Sequence, residues 1–336
     1  MDKVILGRTG IETNKNGFGA LPIQRVSKEE ARKIMYKAYE NGITYFDTAN
    51  MYTDSEEKIG YTFAEVRKNI YIATKTQAKD AKTFTEHLDL SLQRMKTDYI
   101  DVMQFHNPPF CPKPGGEDGL YDAMLEAKKQ GKIKHIGITS HKLHVAREAV
   151  ESGLYETLQF PFNYISEKQD EDIVKLCEEH NVGFVVMKAL SGGLITDSAL
   201  AYAFLNEYKN TLPIWGIQKE SELDEFLAYQ NNPPVMTEER RLKIAKEKAE
   251  LSGNFCRACG YCMPCPANIV ISQAARMGLL LRRAVEASFT DEAGQEEMSR
   301  IDNCIDCGHC IKNCPYGLNT PELLRANYED YKTFIK

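Results

Sequence analysis

Eight of the ten cysteines in this chain of 336 residues lie from position 256 onward, in two runs, Cys256-x2-Cys259-x2-Cys262-x2-Cys265-Pro266 and Cys304-x2-Cys307-x2-Cys310-x3-Cys314-Pro315. The second run has the spacing at which three cysteines ligate one [4Fe-4S] cluster and the fourth reaches a neighbouring one. Neither run then completes a cluster alone, so the chain must fold back to bring the two together. Crossed ligation groups Cys256, Cys259, Cys262 and Cys314 on one cluster, and Cys304, Cys307, Cys310 and Cys265 on the other. The first run closes with x2 where x3 is usual, which changes the backbone position from which Cys265 must reach.

Structural zinc also uses Cys-x2-Cys pairs, but those pairs are separated by about a dozen residues or more. Three consecutive short gaps ending in Cys-Pro fit that pattern poorly. The opening MDKVILGRTG lacks the charged start, apolar core and cleavage site of a signal peptide. A cytoplasmic, reducing compartment is therefore expected, in which disulfides do not form. No apolar run approaches the roughly 18 residues of a membrane span. The formal net charge of -6 supplies no basic stripe to displace phosphate counterions, which argues against a nucleic-acid partner. The densest basic stretch, Arg240 to Lys248, is interleaved with glutamates and reads as a solvated helix face.

From about residue 16 to 231, short β-branched or apolar runs alternate with helical segments. Strands are predicted over 17–21, 43–48, 70–74, 99–105, 136–139, 157–162, 183–188 and 212–217. In the helix SKEEARKIMYKAYENG between the first two, Ser27 caps, Glu30 completes a capping box, Ala31, Ile34 and Ala38 share one face, and Gly42 stops it. Eight strands separated by helices describe a (β/α)8 TIM barrel better than a doubly wound sheet. No Gly-x-Gly-x-x-Gly follows any strand, which lowers a dinucleotide-binding Rossmann reading further. The preceding KVILGRTGIETN reads as a hairpin turning at Thr9 and Gly10 that closes the barrel floor. The barrel domain, residues 1–232, ends at Asn231-Asn232-Pro233-Pro234, which no helix or central strand carries. A small, mainly helical domain over 233–336 follows, starting with a helix capped by Thr237 that stops near Gly253, and holding a second helical pattern from Ile269 to Ala287.

Active sites of such barrels form where strands end. Asp47 and Tyr52 in FDTANMY, Lys75 in IYIATK and His106 in VMQFH stand at three successive strand ends. Singly, each has an ordinary structural explanation. Together they make a proton donor. A tyrosine hydroxyl with a pKa of about 10 is a poor acid at neutral pH, and a neighbouring ammonium is expected to lower that value. Lys75 is placed to do so, Asp47 to hold Lys75, His106 to hydrogen-bond a substrate carbonyl oxygen, and Tyr52 to deliver the proton. Cys177 falls on the apolar face of its helix and reads as core, and Cys111 as a loop residue without a role.

Residues 3 to about 227 resemble the aldo-keto reductase family, which uses an Asp, Tyr, Lys and His tetrad. The resemblance is carried by LGRTGIETN, DTANMY, DYIDVMQFH, IGITSH, LQFPFN and KALSGGL. It implies that Ser140, His141 and Gln159 border a nicotinamide carboxamide, with His141 standing where Asn is common. After strand eight, Gly216, Lys219 and a helix N-terminus capped by Ser221 are expected to hold a pyrophosphate, while Glu222 falls where the family places an Arg. A carboxylate there repels a 2'-phosphate, so NADH is favoured over NADPH if either binds. The tail after Pro234 is similar to two-cluster ferredoxins, and some aldo-keto reductases carry such a tail.

The function expected is that of an iron-sulfur oxidoreductase reducing a small-molecule carbonyl or oxidising an alcohol, its clusters serving electron transfer to an external one-electron donor or acceptor, or structure. The alternative is a ferredoxin-like electron carrier or scaffold whose barrel no longer uses NAD(H) or NADP(H). A scaffold has no need of the intact tetrad.

Overall fold

Short stretches such as Gly17–Gly19 and Tyr45–Asp47 form strands buried on both faces, as parallel strands under a layer of helices must be. The computed structural model describes residues 3–251, 255–283 and 289–335. The chain divides into two compact units, Met1–Ala189 with Tyr202–Met236, and Leu190–Ala201 with Thr237–Lys336.

The first unit opens on an antiparallel hairpin, β1 (Lys3–Ile5) and β2 (Glu12–Asn14). Eight parallel strands follow: β3 (Gly17–Gly19), β4 (Tyr45–Asp47), β5 (Tyr71–Thr76), β6 (Ile100–His106), β7 (Ile133–Thr139), β8 (Thr157–Pro161), β9 (Gly183–Met187) and β10 (Thr211–Gly216). They close in sequence order, with β10 pairing both β9 and β3, so the TIM barrel expected from the alternation is the fold observed. Between the barrel strands run α1 (Lys28–Glu40), α2 (Ser55–Phe63), α3 (Ala81–Met95), α4 (Leu120–Lys129), α5 (Leu143–Glu151), α6 (Lys168–Glu179) and α7 (Ser198–Asn206), and α8 (Glu220–Asn231) follows β10. Ser27 caps α1 by accepting a hydrogen bond from the Glu30 amide at 3.2 Å, and Ala31, Ile34, Met35 and Ala38 form the buried face.

The hairpin is the barrel's floor. Its Val4, Leu6 and Ile11 pack in one cluster with Tyr45, Ala73, Val102, Val185, Leu212 and Ile214 from five of the barrel strands. Gly7 makes this close approach possible. Its φ is +50°, it bridges to Val182, and a Cβ there would stand 2.4 Å from the Gly183 nitrogen. Cys177 is fully buried on α6, as expected of core. Cys111 lies on the loop between β6 and α4 as expected, and is buried there, its thiol pushed up to about 11 chiefly by desolvation, with Tyr155 as its hydrogen-bonding neighbour.

The second unit holds α9 (Glu238–Glu250), α10 (Ile271–Ala274), α11 (Met277–Arg283), α12 (Glu292–Ser299), α13 (His309–Lys312) and α14 (Thr320–Lys332). Thr237 caps α9 by accepting from the Arg240 amide, and the expected stop at Gly253 lies outside the described residues. The single helix expected over 269–287 is instead α10 and α11, parted at Ala275 and Arg276, with 284–287 outside the described residues. Tertiary packing breaks it. The Arg276 side chain turns back to the Ser272 and Ser191 carbonyls, and the Gly278 amide is drawn to Asn327 on α14. The expected division at residues 232 and 233 left residues 190–201 with the barrel. By contacts they group with the tail, through Arg276 to the Ser191 carbonyl, Arg283 to the Leu194 carbonyl and Lys243 to Asp197. Arg282 on α11 and Asp330 on α14 add a bidentate pair at 2.5 and 2.7 Å.

Candidate active site and cysteine cavities

Asp47 ends β4, Lys75 is next to last in β5, and His106 ends β6, so parallel registry carries all three to the same end of the barrel. Tyr52 stands on the loop between β4 and α2. Lys75 Nζ donates to Asp47 Oδ1 at 2.6 Å and to the Thr48 carbonyl at 2.6 Å. It also lies 5.5 Å from the centre of the Tyr52 ring, which meets His106 edge-on with centroids 6.0 Å apart. The four residues are thus brought together.

Asp47 and Lys75 are 3% and 2% exposed, and burial pushes the Asp47 carboxyl up and the Lys75 ammonium down, each against the pull of the other. Two further donors support the carboxylate. Gln104 Nε2 reaches Asp47 Oδ2 at 3.4 Å and Gln159 Oε1 at 3.1 Å, and the Gln159 side chain also bonds Asp47. Sequence reasoning missed Gln104 altogether. Its signal was present: a lone amide in an apolar strand, two residues before His106 and so on the same face.

The expectation that Lys75 lowers the Tyr52 hydroxyl is corrected here. That hydroxyl is raised, first by burial and then by the Asp47 carboxylate, because the Lys75 ammonium is committed to Asp47. Burial and the Lys75 charge hold His106 down at about 3, so its ring is neutral near pH 7, and its Nδ1 is buried without a partner among the described residues.

Ser140, directly after β7, and Gln159, in β8, are joined by the Ser140 amide donating to the Gln159 carbonyl at 3.1 Å. His141 is 5% exposed, its amide donates to Asn107 Oδ1 at 2.8 Å, and burial followed by Lys188 and His106 drives its ring well below the usual range. These buried polar groups suit an amide. The phosphate end differs from expectation. Gly216, Lys219 and Ser221 are exposed, and α8 begins at Glu220 with Lys219 as its N-cap residue, so Ser221 sits inside the first turn and does not cap. The cap is supplied by Glu222, whose Oε2 accepts from the Gln218 and Lys219 amides at 2.7 and 2.9 Å. Two amides just before α8 are thus bonded to a carboxylate whose charge stands at the helix N-terminus, where a phosphate would otherwise be favoured.

In the second unit the thiols line two small cavities. Cys256, Cys259, Cys262 and Cys314 line one; Cys265, Cys304, Cys307 and Cys310 line the other, with Cys262 on the wall of both. Cys265 thus stands with the second run despite its shortened spacing. Among the described residues no three His, Cys, Asp or Glu side chains converge as ligands of a single ion. The thiols ring volumes, as a cubane cluster requires.

A closed parallel barrel with these polar residues at its strand ends belongs to the TIM-barrel oxidoreductases. The chain is a member of the Aldo/keto reductase family, whose model matches residues 13–198, and carries a 4Fe-4S dicluster domain matched over residues 255–319. It is 29% identical over 217 residues to the uncharacterized oxidoreductase YqkF of Bacillus subtilis, covering 60% of this chain and 69% of that protein. It is 29% identical over 206 residues to aldo-keto reductase yakc [NADP(+)] of Schizosaccharomyces pombe, covering 54% and 59%. It is thus matched over about three fifths to two thirds of these relatives' own lengths. An aldo-keto reductase from Bacillus halodurans in its holo form shares the fold, with a TM-score of 0.63 at 24% identity over 74% of this chain and 96% of that one. Among the described residues no helix is long and apolar enough to cross a membrane.

Proposed function

We propose that the barrel reduces a carbonyl, or in reverse oxidises an alcohol, with Tyr52 as general acid, and that the tail holds two [4Fe-4S] clusters in crossed ligation. The observation that carries the first part is the convergence of Asp47, Tyr52, Lys75 and His106 at one end of the barrel. A nicotinamide, when bound, supplies hydride. Ser140, His141 and Gln159 are the residues to border its ring. Because the Glu222 carboxylate stands at the α8 N-terminus, bonded to the Gln218 and Lys219 amides, NADH is expected to bind at least as well as NADPH, and both weakly.

The protein's own groups handle the oxygen. His106, held neutral, directs a ring nitrogen at the carbonyl oxygen and orients it. Tyr52, held protonated by burial and by Asp47, keeps its proton until negative charge develops on that oxygen. An alkoxide is a far stronger base than a phenolate, so the transfer runs downhill even from a raised hydroxyl. Lys75, fixed by Asp47 and the Thr48 carbonyl, keeps its ammonium 5.5 Å from the centre of the Tyr52 ring, a positive charge near the phenolate as it forms. Cys256, Cys259, Cys262 and Cys314 provide one cluster's ligands and Cys265, Cys304, Cys307 and Cys310 the other's, and the clusters pass single electrons to an external partner or hold the tail's fold.

Tyr52→Phe tests the reading. Steady-state carbonyl reduction at matched iron loading is expected to fall about 100-fold to 10,000-fold, the worth of a positioned general acid. The Glu222 cap favours a second reading, an electron-transfer or scaffold protein that does not use nicotinamide. Turnover of Tyr52→Phe within a few-fold of wild type, together with no fluorescence change on adding NADH or NADPH, puts that second reading ahead.

A further inference from the structure

Inside the barrel, Asp47 is held by more than its ion pair. One carboxylate oxygen, Oδ1, accepts from Lys75 Nζ at 2.6 Å; the other, Oδ2, accepts from Gln104 Nε2 at 3.4 Å, and the Gln159 side chain bonds the same carboxylate. Gln104 Nε2 also donates to Gln159 Oε1 at 3.1 Å, which closes a triangle of one carboxylate and two amides. Chemistry dictates the direction of each bond in it. A carboxylate paired with an ammonium can only accept, so both amides turn their nitrogens to Asp47, and Gln159 meets Gln104 with its oxygen. Gln104 turned the other way would set its own oxygen against the carboxylate and against Gln159 Oε1. The arrangement persists although Gln104 is fully buried and its Oε1 has no partner among the described residues. The chain also keeps space for it. Gln104 registers with Gly137 on β7, where a Cβ would stand 2.9 Å from Gln104 Cγ and 2.3 Å from Thr157 Oγ1.

We propose that Gln104 is a positioning residue for the nicotinamide: it fixes the Gln159 amide so that Oε1 is the atom presented to a carboxamide N–H, and it ties that amide to the Asp47–Lys75 pair. The inference rests on the nicotinamide reading proposed above, in which Gln159 borders the ring. A carbonyl oxygen has two lone pairs. One on Gln159 Oε1 is occupied by Gln104 Nε2, and a carboxamide N–H suits the other. Gln104 does this without touching the cofactor. In its absence the Gln159 side chain keeps its bond to Asp47 and turns about that one contact. Holding a side chain in its bound orientation removes an ordering cost from binding, so the loss of Gln104 falls on the affinity for the carboxamide.

The test is calorimetric titration of the full, anaerobically prepared chain with NAD+ and with its acetylpyridine analogue, in which a methyl replaces the carboxamide NH2. Wild type is expected to bind NAD+ the more tightly. In Gln104→Met, close in volume and without a donor, NAD+ should lose about 3-fold to 10-fold in affinity, the worth of one neutral hydrogen bond, while the analogue changes by less than about 2-fold, so the preference shrinks. General damage to the barrel would weaken both ligands alike. Gln159→Leu should abolish the preference, and adding Gln104→Met to it should change nothing further, because the first residue acts through the second. Gly137→Ala presses a methyl on Gln104 without removing a hydrogen-bonding group. It covers the case in which Gln104→Met does not fold, and should shrink the preference in the same direction. Equal affinity of wild type for the two ligands, an unchanged preference in the variants, equal losses for both ligands, or additive effects of Gln104→Met and Gln159→Leu overturn the role of Gln104 and leave the nicotinamide reading standing. A wild-type chain that binds neither dinucleotide overturns that reading, and the role of Gln104 with it.

Discussion

Removing Lys75 should cost the barrel heavily, and the cost should be recoverable. In Lys75→Met the Asp47 carboxyl, 3% exposed, keeps only amide donors, Gln104 at 3.4 Å and the Gln159 side chain. Breaking a buried pair by deleting one partner costs about 3–5 kcal/mol, because the remaining charge stays out of water. Asp47→Asn leaves the Lys75 ammonium with the Thr48 carbonyl and is expected to cost a similar amount. The double variant Asp47→Asn/Lys75→Met buries no charge. Its cost should fall below the sum of the single costs by about 1–3 kcal/mol, the coupling expected of residues in contact. Urea unfolding read by the emission of Trp215 suits the measurement. It is the one tryptophan in the chain and lies in β10, stacked 4.3 Å from Phe226. The penalty in Lys75→Met should also depend on pH. Asp47 already binds its proton more tightly in the folded state, and loss of the ammonium raises its pKa further. The folded state then holds more protons than the unfolded one, so stability falls as pH rises. The penalty is full above the raised folded value and vanishes as pH falls to the unfolded value of about 3.9. Additive single costs, or a penalty independent of pH, would refute the reasoning.

Protein prepared without oxygen should contain about 8 iron and 8 sulfide per chain, checked by elemental and sulfide analysis; stoichiometric zinc with little iron would contradict it. Cys314→Ser should remove or alter the paramagnetic signal of the Cys256, Cys259 and Cys262 cluster and leave that of Cys304, Cys307 and Cys310; loss of the second signal alone would show that ligation is not crossed. Glu222→Arg frees the Gln218 and Lys219 amides and adds a cation, so titration should show NADPH gaining on NADH by at least about 10-fold, the worth of one hydrogen bond to a charged group. An unchanged ratio would mean that the α8 terminus holds no phosphate.

The barrel was legible because every strand announces itself locally. Each of the eight runs read from the sequence contains or overlaps an observed strand, and Ser27 and Thr237 cap the helices they were expected to cap. Asp47, Lys75 and His106 were legible for a related reason: strand ends are fixed by pattern, and registry in a parallel barrel carries strand ends to one place. What stayed hidden depends on partners distant in the chain. That Tyr52 is raised and not lowered follows from how deeply it is buried and from Lys75 being committed to Asp47, neither of which spacing encodes. The Glu222 cap was obscured by an assumed boundary. Shifting the helix start by two residues moves the cap from Ser221 to Lys219 and turns a residue read as repelling phosphate into the one bonding the backbone. The helix read across 269–287 fails for the same kind of reason, since Asn327 and the Ser191 carbonyl act on it from outside its own sequence.

The floor hairpin and the closing strand bear on how the chain is made. Gly17 on β3 registers with Ile214 on β10, which leaves the ribosome 197 positions later (214 minus 17). At about 5–20 residues per second, the early strand waits roughly 10–40 s for its second neighbour. Gly7 waits almost as long for Val182. During translation the growing sheet therefore carries one open edge on β3 and another on whichever strand was made last. Such edges are templates for pairing with other nascent chains. Ring closure, and with it the alignment of the strand ends, is a late event in the life of each molecule.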